Sequence, residues 1–384
     1  MQYRTFGTLD WKTSALGFGA MRLPTLNDDP KQIDEPVATE MIRHAIDQGV
    51  NYVDTAWPYH GGASEPFVGR VLQDGYRERV KLATKMPVWL VESAADFDKY
   101  LDQQLERLQT DHIDFYLLHA LHQNVWEKIH ALDVLPWAEK AIASGRIGHL
   151  GFSFHDQYEV FERIVDAYDN WTFCQIQYNF MDIDYQAGLR GLRYAADKGL
   201  AVIIMEPLRG GRLAKNPPPP QVARLWATAA TQRTPADWAL QWLWHQLEVA
   251  LLLSGMSEMQ HVTENVASAA RSGIGTLTEA ELALIEDVRA AYETMSPIPC
   301  TQCRYCLPCP NGVNIPRVFE IYNEAIMYQD VAGARTSYQW LKEEARADRC
   351  VACLQCEEQC PQHIEIVTWL KTARELLDPP DAAA

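Results

Sequence analysis

The sequence predicts an α/β fold: a closed (β/α)8 barrel of the TIM type, followed by a small, mainly α-helical domain. Three observations predict it. Along residues 1–295, eight short β-rich runs alternate with longer segments of helical periodicity. The runs are mostly apolar without strict alternation, as expected of parallel strands covered on both faces. Eight of the nine cysteines then crowd into residues 300–360, just after the two prolines of MSPIPC, which sets off a second domain over 296–384. A chain of 384 residues accommodates one barrel of about 250 residues and a small partner domain.

Taken in order, ALGFGAM (15–21) opens the first unit and NYVDTA (51–56) the second. KLATK (81–85), IDFYLLH (113–119) and HLGFSF (149–154) follow, then FCQIQYN (173–179), LAVIIMEP (200–207) and VALLLSG (249–255). VATEMIRHAIDQG (37–49) and AADFDKYLDQQLERLQ (94–109) carry the 3.6-residue periodicity of amphipathic helices between strands. Eight such units close into a barrel. A doubly wound open sheet is the alternative, but no GxGxxG follows the first strand. Pro217–Pro220 mark a loop inside the barrel. The tail holds an internal repeat: Cys300 and Cys350 lie fifty residues apart, and each run ends in Cys-Pro before a short apolar turn, NGVNI or QHIEI. RVFEIYNEAIMYQ, between the runs, reads as helix, and DPPDAAA at the end reads as frayed.

A hydrophobic content of 47%, with twelve tryptophans, supplies a sizeable core. The formal net charge of −17 argues against nucleic-acid phosphate and anionic membrane as partners. No stretch is apolar enough to span a membrane, and MQYRTFGTLDW lacks a signal-peptide core. The expected location is cytoplasmic. In that compartment adjacent CxxC pairs favour metal over disulfides.

The second cysteine run, Cys350, Cys353, Cys356 and Cys360 followed by Pro361, has the C-x2-C-x2-C-x3-C-P spacing that wraps three thiolates around one cubane cluster and turns the fourth toward another. The first run, Cys300, Cys303, Cys306 and Cys309, has x2 before its last cysteine. Two four-thiolate zinc sites are the alternative, though evenly spaced fours suit zinc less well. The tail resembles a two-cluster ferredoxin domain. That resemblance implies two [4Fe-4S] clusters, one on Cys300, Cys303, Cys306 and Cys360, the other on Cys350, Cys353, Cys356 and Cys309. Cys174 reads as a buried core residue of the sixth strand.

In a β/α barrel the chemistry sits at the C-terminal strand ends. Asp54 and Tyr59 follow the second strand, Lys85 ends the third and His119 the fourth. A carbonyl being reduced needs a proton on its oxygen as hydride reaches its carbon. A tyrosine can give it, an ammonium nearby stabilises the phenolate, and a carboxylate orients the ammonium. NYVDTAWPYH, KLATKMP and DFYLLHAL resemble the catalytic motifs of the aldo/keto reductases over roughly residues 1–295. The resemblance implies Tyr59 as general acid/base, Lys85 and Asp54 as its tuners and His119 as the group orienting the carbonyl.

It also implies the cofactor residues. Gly19, Ala20 and Met21 come from GFGAMR. GFSFHD places Ser153 at the nicotinamide carboxamide, with Gln177 from QIQYN, and has Phe154 where the family usually carries Asn. MEPLRGGRL supplies Met205, Pro207, Leu208 and Gly210 to nicotinamide and pyrophosphate. SGMSEMQHVTEN supplies Ser254, Gly255, Met256, Gln260, Glu264 and Asn265 to the adenosine. The cofactor is NAD(H) or NADP(H); no guanidinium fork stands where a 2′-phosphate would lie, which leans to NAD(H) unless Arg271 or Arg209 folds back. Met21, Arg22, Trp57, His60 and Trp89 line the expected mouth for a small carbonyl or alcohol substrate.

Nicotinamide exchanges hydride and a cubane cluster exchanges single electrons; a flavin normally mediates, and no feature here identifies a flavin site. The expectation is a hydride-transferring oxidoreductase whose clusters either serve a redox partner protein or brace the tail. The alternative is an electron-transfer protein that keeps the barrel as a docking scaffold.

Overall fold

The computed structural model describes residues 1–27, 29–300, 304–360 and 362–379. By packing, the chain forms two compact units, Met1–Gly211 with Ala236–Thr278, and Arg212–Pro235 with Glu279–Ala384.

The first unit opens with an antiparallel pair, β1 (Tyr3–Phe6) and β2 (Leu9–Ser14), which precedes ALGFGAM and is not among the strands read from the sequence. Gly7 turns between them at φ +55, and a Cβ there would stand 2.7 Å from the Gly199 carbonyl oxygen, so only glycine fits. Then come β3 (Leu16–Gly19), β4 (Tyr52–Asp54), β5 (Lys81–Met86), β6 (Ile113–Leu121), β7 (Ile147–Phe154), β8 (Phe173–Gln177), β9 (Ala201–Met205) and β10 (Val249–Ser254). Each is parallel to the next, and β10 pairs with β3 to close the barrel, as the sequence predicts.

The barrel interior is filled by Phe6, Tyr52, Ala83, Phe115, Leu117, Phe173, Ala201, Ile203 and Leu251. Phe6 plugs the N-terminal end, with its ring 4.7 Å from Phe115 and 5.9 Å from Phe173. Arg4 fastens the hairpin. It is 9% exposed, and its guanidinium donates to the carbonyls of Val249 (2.6 Å), Trp244 (2.7 Å) and Gln246 (3.1 Å). Burial lowers its pKa to about 10, which leaves it charged at neutral pH.

The second unit holds, among the described residues, helices and turns and no strand. The helices Ile315–Met327, Val331–Gln339 and Ile366–Leu377 pack Val318, Phe319, Ile321, Tyr338 and Leu370 into one core. Half-buried Cys300, Cys306, Cys309, Cys350, Cys356 and Cys360 lie against that core. Asn323 fixes the segment entering the first cysteine run: its side chain accepts from Ile298 N at 3.0 Å and donates to Ile298 O at 2.8 Å.

Candidate active site

Strand alternation builds the site. Tyr52, Ala83, Phe115 and Phe173 point into the barrel, so the residues two further along, Asp54, Lys85, Leu117 and Gln175, continue the same inward faces. One layer higher still stands His119. Asp54, Lys85 and His119 therefore meet above a sealed apolar floor, and the turn Tyr59–Gly62 after β4 brings Tyr59 over them.

Lys85 is fully buried and Asp54 nearly so. Lys85 Nζ donates to Asp54 Oδ1 at 2.6 Å, to the Thr55 carbonyl at 2.8 Å and to Tyr59 Oη at 3.2 Å. An ammonium has three donors, and all three are used. Burial alone would lower the Lys85 pKa; attraction to Asp54 and Tyr59 outweighs it and keeps the lysine charged. Two effects compete on the Tyr59 hydroxyl. Burial raises its pKa, and Lys85 only pulls part of that back, so the hydroxyl is held protonated. His119 is held neutral: burial, then Lys85, then His155 push its pKa well below the usual imidazole value. Its Nδ1 is buried without a partner, and its ring lies 6.1 Å from Tyr59 and 5.2 Å from Trp89.

On the cofactor side, Ser153 is buried and its Oγ accepts from Ala120 N at 2.7 Å. Its register partner on β8 is Gln175, whose Oε1 is buried and unpartnered. Gln177, two residues on, instead donates to Asp182 Oδ2 at 3.0 Å. Asp182 also receives Asn179 Nδ2 at 2.9 Å and Arg209 at 3.3 Å, while Asn179 donates to the Glu206 carbonyl at 3.1 Å. Gln177 thus belongs to a network that braces the loop after β9, which holds Pro207, Leu208 and Gly210. Gln175 was not singled out from the sequence. Its signal was the inward face it shares with Phe173.

Loops after β3, β9 and β10 converge. Arg22 pairs with Glu206 at 2.8 Å, and a Cβ on Gly255 would stand 3.3 Å from the Arg22 stem. A Cβ on Gly19 would stand 3.3 Å from the Ser254 carbonyl, so both glycines let these loops approach closely. Met205 ends β9 half-buried, Ala20 and Met256 are buried, and Asn265 donates to Ser254 Oγ at 3.1 Å. Gln260 and Glu264 pair at 2.7 Å on the exposed face of the helix Met259–Ala270. Arg271 pairs with Asp237 at 3.1 Å, so it and Arg209 are both held by carboxylates.

The mouth residues separate. Met21, Arg22 and Trp89 are exposed at the strand ends. Trp57 turns outward under the Arg107 guanidinium, 3.5 Å from its centre, and against Tyr100. His60 is structural: Nδ1 donates to the Pro30 carbonyl at 2.7 Å and Nε2 accepts from Leu23 N at 3.1 Å, bracing the 20–33 loop.

The cysteines sort into two groups. Cys306, Cys309, Cys350, Cys353 and Cys356 line a cavity of about 450 Å³. Cys300, Cys306 and Cys360 line a second, smaller one. Cys303 and Pro361 lie outside the described residues. Among the described residues no three metal-ligating side chains converge as they would on a single ion. The loop fits a larger anionic group: Ala352 and Leu354, flanking Cys353, take φ values of 56° and 63°, a backbone turn of the kind that forms concave anion cradles around iron–sulfur centres. Cys174 is buried in β8, and burial pushes its thiol pKa up, as befits a core residue.

Comparison with known proteins agrees with both halves. The model of the aldo/keto reductase family matches residues 15–290, and that of the 4Fe-4S dicluster domain matches residues 299–365. L-Galactose dehydrogenase of Arabidopsis thaliana is 28% identical over 312 residues, covering 75% of this chain and 96% of its own. The NADH-specific methylglyoxal reductase of Escherichia coli is 25% identical, covering 75% and 98%. An aldo/keto reductase of Klebsiella pneumoniae solved with NADPH superposes with a TM-score of 0.59 at 25% identity, covering 75% of this chain and 96% of that one.

Proposed function

Since the chain belongs to the aldo/keto reductase family, we propose that it interconverts a small carbonyl compound and its alcohol, with Tyr59 as the proton-transfer residue. The carrying observation is Lys85, saturated by Asp54, Thr55 and Tyr59 at 2.6, 2.8 and 3.2 Å. A bound nicotinamide supplies or accepts the hydride. Tyr59 gives its proton to the carbonyl oxygen, and Lys85 stabilises the phenolate left behind. Neutral His119 orients the same oxygen by a hydrogen bond. Trp89 shields the site from one side. A scaffold would have no use for a fully buried ammonium aimed at a tyrosine hydroxyl.

Ser153 and the unpartnered Gln175 carbonyl suit the nicotinamide carboxamide, the latter accepting from its NH2. Changing Gln175 to Ala is expected to raise KM for the cofactor roughly three- to tenfold, the worth of one hydrogen bond, with little change in kcat; steady-state kinetics with the cofactor varied would show it, and an unchanged KM would remove Gln175 from the site. The preference proposed is for NADH. Arg209 and Arg271 are both engaged by carboxylates, and Glu264 at the adenosine end would repel a 2′-phosphate.

For the tail we propose two [4Fe-4S] clusters, one held by Cys309, Cys350, Cys353 and Cys356 and the other by Cys300, Cys303, Cys306 and Cys360, each able to carry single electrons. The cavity linings support this division, Cys306 touching both.

The test is isotopic. With a panel of small aldehydes and ketones and anaerobic enzyme, deuterium from the nicotinamide C4 of labelled NADH should appear on the carbinol carbon, and NADPH should react more slowly. Failure of any carbonyl to take up label, with NADH bound, would refute the hydride reading. A faster reaction with NADPH would refute only the cofactor preference.

A further inference from the structure

Among the described cysteines of the two runs only Cys353 is exposed; Cys300, Cys306, Cys309, Cys350, Cys356 and Cys360 are half-buried against the helical core. Beside Cys353, in a cavity also lined by Asn311, Gln355 and Gln359, three large apolar side chains are exposed. Tyr305, Val351 and Leu354 are 67%, 63% and 50% exposed, and all three line the same cavity as Cys309, Cys350 and Cys356. Large apolar side chains left this open beside one another mark an interaction face more often than idle surface.

The rim of this patch is acidic. Glu358 lines the cavity itself, and a neighbouring hollow that shares Val351 is lined by Glu343, Glu344 and Asp348. The one cation in that hollow, Arg349, sits 3.7 Å from both Glu343 and Asp348 and is thereby largely neutralised. Four carboxylates thus face one guanidinium around an apolar centre.

We propose that this face docks a one-electron redox protein with an apolar centre and a basic rim, and that the group of Cys309, Cys350, Cys353 and Cys356 is the point of electron entry and exit. The inference rests on the cluster reading above. In the step proposed, a reduced cluster gives one electron to an oxidised one-electron centre of the partner; no proton or group is transferred. Complementary charge steers such encounters and makes them salt-dependent, while the apolar centre excludes water once docked.

The probe is cytochrome c, a one-electron haem protein with a lysine-rich rim. Anaerobically reconstituted, dithionite-reduced protein is mixed with ferric cytochrome c by stopped flow, and with a small neutral quinone as a control acceptor. The wild-type rate to cytochrome c should fall steeply with salt. The Glu343→Lys, Glu344→Lys double variant, which changes only the neighbouring hollow, should slow that rate by about tenfold or more, weaken the affinity of the oxidised proteins measured by calorimetry, and leave the quinone rate and the EPR spectrum unchanged. Leu354→Gln should weaken docking with little effect on the salt slope. Unchanged cytochrome rates and affinity in variants with intact EPR signals would overturn the docking face alone. Absence of any dithionite-reducible EPR signal in the wild type would overturn the cluster reading, and this proposal with it. Self-association of the chain through the patch, detected by sedimentation and abolished by Leu354→Gln, would assign the face to a second copy and overturn the proposal.

Discussion

Tyr59→Phe is expected to lower kcat for carbonyl turnover by about 10²–10⁴-fold, the usual worth of a positioned proton donor, while cofactor affinity stays the same. The change removes one oxygen and little else. Tyr59 Oη meets Lys85 Nζ at 3.2 Å, and the ring stays in place against His119 and the Lys85 ammonium 4.7 Å from its centre. Steady-state kinetics with cofactor binding by fluorescence separates the two terms. The pH dependence should agree. Burial holds the hydroxyl protonated above its ordinary range, so reduction should run at a constant rate through neutral pH and fall only in alkali. His119 stays neutral across the same interval, so no limb near pH 6.5 is expected from it. Full activity in the phenylalanine variant would mean the proton comes from elsewhere.

Lys85→Met should cost the fold as well as the reaction. Asp54 is 2% exposed and its second oxygen has no partner, so Lys85 is its only compensating charge among the described residues. Leaving a buried carboxylate unpaired typically costs about 3–5 kcal/mol. The sign with pH follows. Burial already raises the Asp54 pKa, and loss of Lys85 removes the attraction that lowers it. The folded variant would then hold its proton at a pH where the unfolded chain has lost it, so its stability deficit should shrink as pH falls and grow as pH rises. Adding Asp54→Asn to the same chain should restore most of the stability and none of the activity. Denaturant unfolding of the single and double variants at pH 5 and pH 8 checks this; a single variant as stable as the wild type at pH 8 would show that the pair contributes nothing to the fold.

The barrel was legible because its strands are buried on both faces and so stand out as unbroken apolar runs. The β1–β2 hairpin is half-exposed, with burial alternating along YRTF, and its polar residues hid it beside those runs. The tetrad was legible because strand ends and the Asp54–Tyr59 spacing fix it locally. Gln175 and Gln177 were not separable by sequence, since both lie on one strand face and only the Asp182 network decides which amide is free. His60 looked like a mouth residue because its sequence neighbours are; its role depends on a loop some thirty residues earlier, Pro30 and Leu23. Cysteine spacing, with the ferredoxin resemblance it carries, pointed to iron–sulfur centres and to a division of the thiols with which the two cavity linings are compatible.

The Arg4 clasp has a consequence in time. Its three carbonyl partners lie 240 to 245 residues further along the chain. During synthesis the hairpin emerges long before β10, yet its anchor is not made until that last barrel strand leaves the ribosome. Until then Phe6 has no closed barrel to plug, and the nascent β/α units must wait with an open seam between β3 and the strand still to come. Contacts of such long range slow folding and lengthen exposure of unpaired strand edges, so the interval before β10 arrives is when this chain is most in need of a chaperone.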